Sequence, residues 1–543
     1  MRGCFPCPLV RFTTPRMDST GAGPLHWWQS RWGVAAIALA CALPLLWPSI
    51  PPLLDLPGHM AAYKVELDYA HSPYLRGYYS LHWAPMGNLG VNLLILPMAK
   101  WFGLELGTKL IVLAIPPLTA LGFLWTAREM HGRIPPTALF AVPLAYCYPF
   151  VFGFVNFAMS MALGFLAFAL WARLGRLGRW RLRALLFPPI TALVWLAHTF
   201  GWGTLGILAF SFEFVRGRDR GEAPVRAALR AALECLPLIL PIILMLVWRS
   251  GDVAGKTEGW FSLGSKISYM KFALRDRWIW LDLPAILLVY GLVVAALAKR
   301  RLGMSRVLAA GAAFLFLAYL CIPQRIFGSG YADMRLFPYT LAAAVLAIRP
   351  ATDASPRLMR GLALAGLLFI GVRLAGNSWS FALYDAEVQR ELPALDRLPR
   401  GARLVSFVGT PCRTQWHWTR LDHLPGLAVV RREAFANDQW SVAGAQLNRA
   451  SYPQAGAFQT DPSQIVRLGP CSVNRWPTLD KSLRAFPRGA FDYLWLINPP
   501  AWDRSLTAGM VPVWTNGRSM LFRIVDRNQP VSRSTDTLPV AEP

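Results

Sequence analysis

An aspartate and a histidine stand four residues apart in DLPGH, Asp55 and His59, directly after an apolar run that stops at Pro51 and Pro52. A carboxylate beside apolar surface is desolvated, its pKa rises, and it becomes a stronger base nearer neutral pH. At the rim of a hydrophobic segment, such a group meets a substrate carried in the lipid. Asp55 is therefore the first candidate for a general base, with His59 as its catalytic companion and Asp68, farther along the same stretch, as a substrate contact. Asp55 two residues before Pro57 also suits the N-cap of a helix over 57–70, a role compatible with the first.

The elements that must position these residues are mostly greasy. Of 543 residues, 55% are hydrophobic and 16% charged, with a mean hydropathy of +0.36. A soluble protein carries roughly 25% charge. Apolar runs recur over 32–50, 107–127, 135–151, 153–173, 184–198, 200–215, 229–248, 280–298, 305–322, 335–349 and 358–376, most of them long enough to cross a hydrocarbon core as helices. The stretch 89–103 is short and holds Pro97 and Lys100, so it reads as an interfacial or re-entrant helix.

The net charge of +25 is carried by short connectors such as RLGRLGRWRLR (173–183) and KRRLGMSR (299–306). Eleven spans with the N-terminus inside put about twice as many Lys and Arg on the inner connections as on the short outer ones, as the positive-inside rule requires. The basic residues thus set topology, and no nucleic-acid partner is expected. The same count puts Asp55, His59, Asp68, the turn at 198–200, the loops 249–279 and 323–335 and the whole tail on the outer face. In the loop 249–279, Lys256 and Lys271 could steer an anionic lipid.

The tail is a different material. RLVSFVG (403–409) and FDYLWLI (491–497) read as strands, and VPVWTNGRSMLFRIV (511–525) as a hairpin with a type I′ turn at Asn516-Gly517. The expected organisation is an inner N-terminal segment over 1–31, a transmembrane domain over 32–376 with a catalytic outer loop at 51–106, an extracytoplasmic α/β domain over 377–528, and a disordered tail over 529–543. An outer location allows a disulfide between Cys412 and Cys471. Cys4 and Cys7 form a CxxC without a second pair, and His417, Asp422 and His423 in TQWHWTRLDH match no metal-ligand spacing.

With this layout, LDLPGHMA resembles the Asp-x-Pro-x-His stretch of bacterial members of the GT-C class of integral-membrane glycosyltransferases. YPFVFGFVNFAMSMALGFLAFALW (148–171), ADMRLFP (332–338) and the closing strands resemble further segments of that class. The resemblance implies a polytopic helical fold of about eleven spans with a small outer α/β domain. It implies transfer of a sugar from a polyprenyl-phosphate donor to a lipid, glycan or protein acceptor, in a bacterial inner membrane. Asp55 would deprotonate the acceptor hydroxyl, and Arg325 and Arg335 would hold the departing phosphate. Asn156 and His198, at outer turns between spans, would contact substrate. Asp333, in that late Asp-x-Arg motif, is a further substrate-binding candidate; in the plainer reading Arg335 pairs with it or snorkels at the interface. The paired Asp-x-Asp or Asp-Glu of many relatives is missing, which counts against a metal-dependent mechanism. No cofactor is assigned, and a divalent cation, Mg or Mn, stays as the open alternative. The competing classes are a lipid or polysaccharide flippase and an envelope assembly factor. Neither a visible internal repeat nor midplane polar residues support the first, and the second leaves Asp55 without a task.

Overall fold

The computed structural model describes residues 25–247, 255–298, 301–351, 353–412, 415–442, 444–471 and 476–528. The expectations for Cys4 and Cys7, for most of the inner N-terminal segment and for the tail over 529–543 lie outside the described residues. Helix α1 (Arg31–Ala40) starts on Ser30, whose side chain accepts the Gly33 amide, and runs into a 3₁₀ turn at Leu43–Leu45. Prolines 48, 51 and 52 then forbid continuation, and the chain reaches α2 (Leu56–Asp68) with Pro57 in its first turn. Two further short elements, α3 (Pro73–Tyr78) and β1 (Tyr79–Leu81), lead to α4 (Gly90–Phe102). Helix α4 is the stretch read as interfacial, and Pro97 lies inside it.

The helical body follows: α5 (Leu104–His131), a 3₁₀ segment at Pro136–Tyr146 with α6 (Tyr148–Phe152), α7 (Val155–Arg176), α8 (Trp180–Ala197), α9 (Thr199–Asp219), α10 (Pro224–Glu234) and α11 (Leu240–Val247). Beyond it come α12 (Leu263–Lys271), α13 (Ile279–Leu297), β2 (Leu302–Met304), α14 (Arg306–Cys321), α15 (Ala332–Ala347), β3 (Ile348–Pro350) and α16 (Pro356–Glu391). The apolar stretches read from the sequence fall mainly on α-helices and 3₁₀ segments among the described residues. Four helical segments, Leu104–His131, Val155–Arg176, Ile279–Leu297 and Pro356–Arg397, are long and apolar enough to cross a membrane by length and composition. The chain is an integral membrane protein. Helix α16 does not stop at 376: it continues for four more turns and carries the chain to the sheet domain.

That domain contains β4 (Arg403–Thr410), α17 (Gly426–Arg432), β5 (Phe435–Ala436), β6 (Asn448–Ala450), β7 (Ile465–Arg467), α18 (Leu479–Ala485), β8 (Tyr493–Ile497), β9 (Met510–Thr515) and β10 (Met520–Ile524). Its mixed sheet has the order β5-β4-β8-β10-β9, with β4 parallel to β5, β7 and β8 and the closing strands antiparallel. Phe407, Phe435, Phe458, Phe486 and Phe491 fill one face of it. The hairpin turn differs from the type I′ expectation. Thr515 pairs with Met520, so the loop has four residues, and the Asn516 carboxamide caps it by accepting the Arg518 and Ser519 amides. Only Gly517 has positive φ there, at 88°. The architecture implied by the GT-C resemblance, a helical membrane body with a C-terminal α/β domain, is the one observed.

The two parts are joined at the stretch between α1 and α4. Strand β1 pairs with β6, Tyr79 opposite Ala450. Helices α2 and α17 pack directly, with the Gly426 position 2.8 Å from the Pro57 carbonyl for a would-be Cβ. The chain between β4 and α17 is anchored by charge. Arg420 forms a buried ion pair with Asp276 and donates to the Pro52 carbonyl at 2.5 Å. The Trp416 indole donates to Asp282 at 2.8 Å, the carboxylate that also receives Arg373 at 2.7 Å.

Candidate active site

Asp55 occupies the N-cap position of α2, yet its side chain makes no capping hydrogen bond. Its backbone is held instead by the turn after α6: the Asp55 amide donates to the Phe152 carbonyl at 2.9 Å and Leu54 to Val151 at 3.3 Å. The next residue in that turn, Gly153, has φ +109°, and a Cβ there would fall 2.6 Å from the Asp55 nitrogen. A glycine is required by both the backbone region and the contact. The GFVNF segment therefore works as the seat of Asp55.

The carboxylate of Asp55, 7% exposed, faces the sheet domain. His423 Nε2 lies 3.8 Å from Asp55 Oδ1 and 3.8 Å from Asp461 Oδ1. The other ring nitrogen, Nδ1, is 2.9 Å from the Asp438 carbonyl oxygen. A carbonyl only accepts, so Nδ1 carries the proton and, in the neutral ring, Nε2 presents its lone pair to both carboxylates. Trp440 covers the group, with ring centres 4.3 Å from His423 and 4.8 Å from His59. Gly58 makes room for the indole: a Cβ would sit 2.8 Å from it.

Electrostatics follow from burial. Desolvation, with Asp461 and Asp422 adding negative charge, holds the Asp55 carboxyl well above the usual range, and Arg335 opposes the shift. Desolvation also raises Asp438 to about 7 and Asp461 to about 6. It lowers His59 to about 3 and His423 to about 4, so both imidazoles are neutral at rest.

The cation that opposes the Asp55 shift, Arg335, stacks its guanidinium over Phe154 at 4.3 Å. Its polar contacts are long, 3.4 Å to His198 Nε2 and 3.3 Å to the Gly330 carbonyl. Its Nε is buried without a partner, and no carboxylate among the described residues forms an ion pair with it. His198 is fixed through Nδ1, which accepts the Phe200 amide at 3.1 Å. Phe152, Phe154 and Tyr331 make an aromatic wall beside this cation, with centres 5.0 to 6.5 Å apart.

Asp55, His59 and His198 all lie within electrostatic or contact reach of Arg335, and the other candidates are engaged elsewhere. Asp68 lies at the far end of α2 in an ion pair with Lys64. Asn156 spends its carboxamide on the start of α4, accepting the Val91 amide at 2.6 Å and donating to Asn92 Oδ1 at 3.0 Å and to the Asn88 carbonyl at 2.8 Å. Arg325 pairs with Glu258 at 3.1 Å. Asp333 faces Lys266 at 3.8 Å rather than Arg335. Cys412 and Cys471 are joined as a disulfide at the base of the segment that carries His423, Cα–Cα 5.7 Å. Among the described residues no group of three or more His, Cys, Asp or Glu is arranged to hold a metal ion, so Mg or Mn has no assigned seat.

Sequence reasoning missed Trp440, Asp438, Asp461 and Glu66, and with metal ligation set aside it read Asp422 and His423 as sugar-binding or surface residues. Glu66 had a legible signal, since His59, Tyr63 and Glu66 recur at helical spacing on α2. Its Oε1 accepts from Asn92 at 2.7 Å while Oε2 is buried without a partner, and desolvation raises it to about 8.

Fold and site together define an integral membrane protein whose C-terminal sheet domain packs a cluster of buried charged residues against the helical body. Among solved structures, the chain is similar to ArnT from Cupriavidus metallidurans in the apo state, at 12% identity and TM-score 0.49 over 91% of this chain and 98% of that one. It is similar also to the same protein bound to undecaprenyl phosphate, at 13% identity and TM-score 0.46 over 91% and 97%. No protein-family model and no curated protein matches the sequence.

Proposed function

We propose that the protein is a membrane glycosyltransferase that moves a sugar from a polyprenyl-phosphate donor to an acceptor hydroxyl at the outer face. The observation that carries this reading is a buried carboxylate without a capping bond, Asp55, coupled electrostatically to a cation that forms no carboxylate ion pair among the described residues, Arg335. Glycosyl transfer from a lipid phosphate needs both. Asp55 takes the proton of the acceptor hydroxyl, the oxygen attacks the anomeric carbon on the face opposite the phosphate, and the C–O bond to phosphate breaks with inversion. The bond electrons leave with the phosphate, whose growing charge the Arg335 guanidinium meets with paired N–H donors. The neutral His59 and Trp440 offer a polar edge and an aromatic face to a sugar ring. The aromatic wall of Phe152, Phe154 and Tyr331 keeps water from the cation, which strengthens its pull.

The test is transfer by the full chain in nanodiscs, supplied with polyprenyl-phosphate sugars and glycolipid, glycan or protein acceptors. Asp55→Asn is expected to abolish transfer at an unchanged melting temperature. Full activity in that variant removes Asp55 from the mechanism.

A further inference from the structure

The base of this reaction must shed the proton it collects, and Asp55 is buried. We infer that His423 and Asp461, both from the sheet domain, form a proton relay that carries this proton from Asp55 to solvent. This inference rests on the reading of Asp55 as the base.

Asp461 is the most exposed of the three groups. The Asp55 and His423 side chains are 10% and 6% exposed, whereas that of Asp461 is 21% exposed. One nitrogen, His423 Nε2, faces both carboxylates at the same 3.8 Å. That separation exceeds a hydrogen bond and is closed by a small side-chain rotation or by one bridging water. The Asp438 carbonyl holds Nδ1–H, so the ring cannot turn away and its lone pair stays on the shared side. The groups facing the ring are Asp55 and His59 from α2, Asp438 from the segment after β5, Asp461 from the loop before β7, and its neighbour Asp422. Its charged form, once made, lies between carboxylates and is stabilised by them.

The steps balance. Protonated Asp55 gives its proton to Nε2, which regenerates the Asp55 carboxylate and makes an imidazolium that keeps Nδ1–H on Asp438. Nε2 then gives that proton to Asp461 Oδ1 and the ring is neutral again. Asp461, anchored by the Gln464 amide at 2.7 Å, releases the proton to water. No electron moves and no co-reactant is needed.

A direct readout is hydrogen–deuterium exchange of the Asp55 carboxyl, followed by the infrared carbonyl band that disappears in Asp55→Asn. It is measured on the full chain in nanodiscs without any substrate. The relay predicts that exchange slows at least about tenfold in His423→Gln and in Asp461→Asn, and that imidazole restores it in His423→Ala. In the transfer assay the same two variants lose kcat by about 100-fold with KM little changed. Exchange at the wild-type rate in both variants overturns the relay, as does a wild-type kcat in both. Slowed exchange in a protein that transfers no sugar supports the relay and overturns the proposed function instead. Should His423→Gln lose its fold by thermal melting, Asp461→Asn, at the partly exposed end, decides alone.

Discussion

Gly153 and Asp55 touch backbone to backbone: a methyl group on the glycine would stand 2.6 Å from the Asp55 nitrogen and 2.9 Å from its Cβ. The position of the carboxylate is therefore set by a residue about a hundred positions away, at a turn between α6 and α7. Gly153→Ala is expected to push Asp55 out of place and to strain a φ of +109°. The cost is about 1–3 kcal/mol in stability, and a displacement of the base on the order of 1 Å lowers transfer by about 100-fold. Thermal melting and initial rates measured together check this; a normal rate in the alanine variant contradicts the seating role.

This contact also marks how far the sequence could be read. Asp55 was legible because an ionisable residue at the end of an apolar run is costly unless it is used. The helices were legible because lipid leaves the backbone no other partner. Asp438, Trp440 and Asp461 were not, since they stand more than 380 positions from Asp55 and reach it only when α17 docks on α2 and β6 pairs with β1. Nothing local announces such a meeting. His423 was visible as a residue and misread in chemistry, because its use depends on which nitrogen the Asp438 carbonyl holds. Asn156 shows the opposite failure: an amide at an outer turn looked like a substrate contact, and three hydrogen bonds tie it to the start of α4.

Transfer is expected to fail at acid pH earlier than an ordinary carboxylate base would. Asp55 must be ionised to accept a proton, and desolvation with Asp461 and Asp422 raises its pKa, so the rate falls as pH drops through that raised value. Asp461→Asn removes one of the raising charges. Its acid limb should move to lower pH while the plateau drops through loss of the relay. A limb that stays in place separates Asp461 from the base.

Stability should run the other way. Asp438 has a folded pKa of about 7 against an ordinary value of 3.8, so the folded state binds this proton more tightly. Its contribution is complete below the unfolded pKa and is lost as pH rises through about 7. Asp461 adds the same pattern, ending near 6. The melting temperature is expected to decline through this window, and Asp438→Asn to flatten the decline and melt higher than wild type at pH 8. A variant curve parallel to wild type over that range rejects the assignment.

The bond between Arg420 and Asp276 holds the His423 segment against the helical body. Arg420→Ala leaves Asp276 buried and unpaired and also removes the stacking on Tyr384 at 4.0 Å. The expected loss is about 3–5 kcal/mol. Replacing both partners by apolar residues, Arg420→Met with Asp276→Leu, removes the stranded charge and should recover most of the melting temperature. If the double variant melts no higher than the single one, the damage comes from lost packing rather than from the orphaned carboxylate.

Arg335 separates the transferase reading from simple phosphate binding. A cation that only attracts the lipid phosphate holds ground state and transition state alike, and its loss raises KM. A guanidinium that meets the charge as the C–O bond breaks acts on kcat. The long contacts of Arg335 to Gly330 and His198, and the unpartnered Nε, leave its donors available for that moment. Arg335→Lys keeps the charge and loses the planar fork. It is expected to lower kcat by about 100-fold or more while KM for the polyprenyl-phosphate sugar changes far less. Arg335→Gln should in addition weaken binding of polyprenyl phosphate alone, measured by titration into nanodiscs. A lysine variant with normal kcat and raised KM would leave Arg335 as a docking charge and move the stabilisation of the leaving group to another cation.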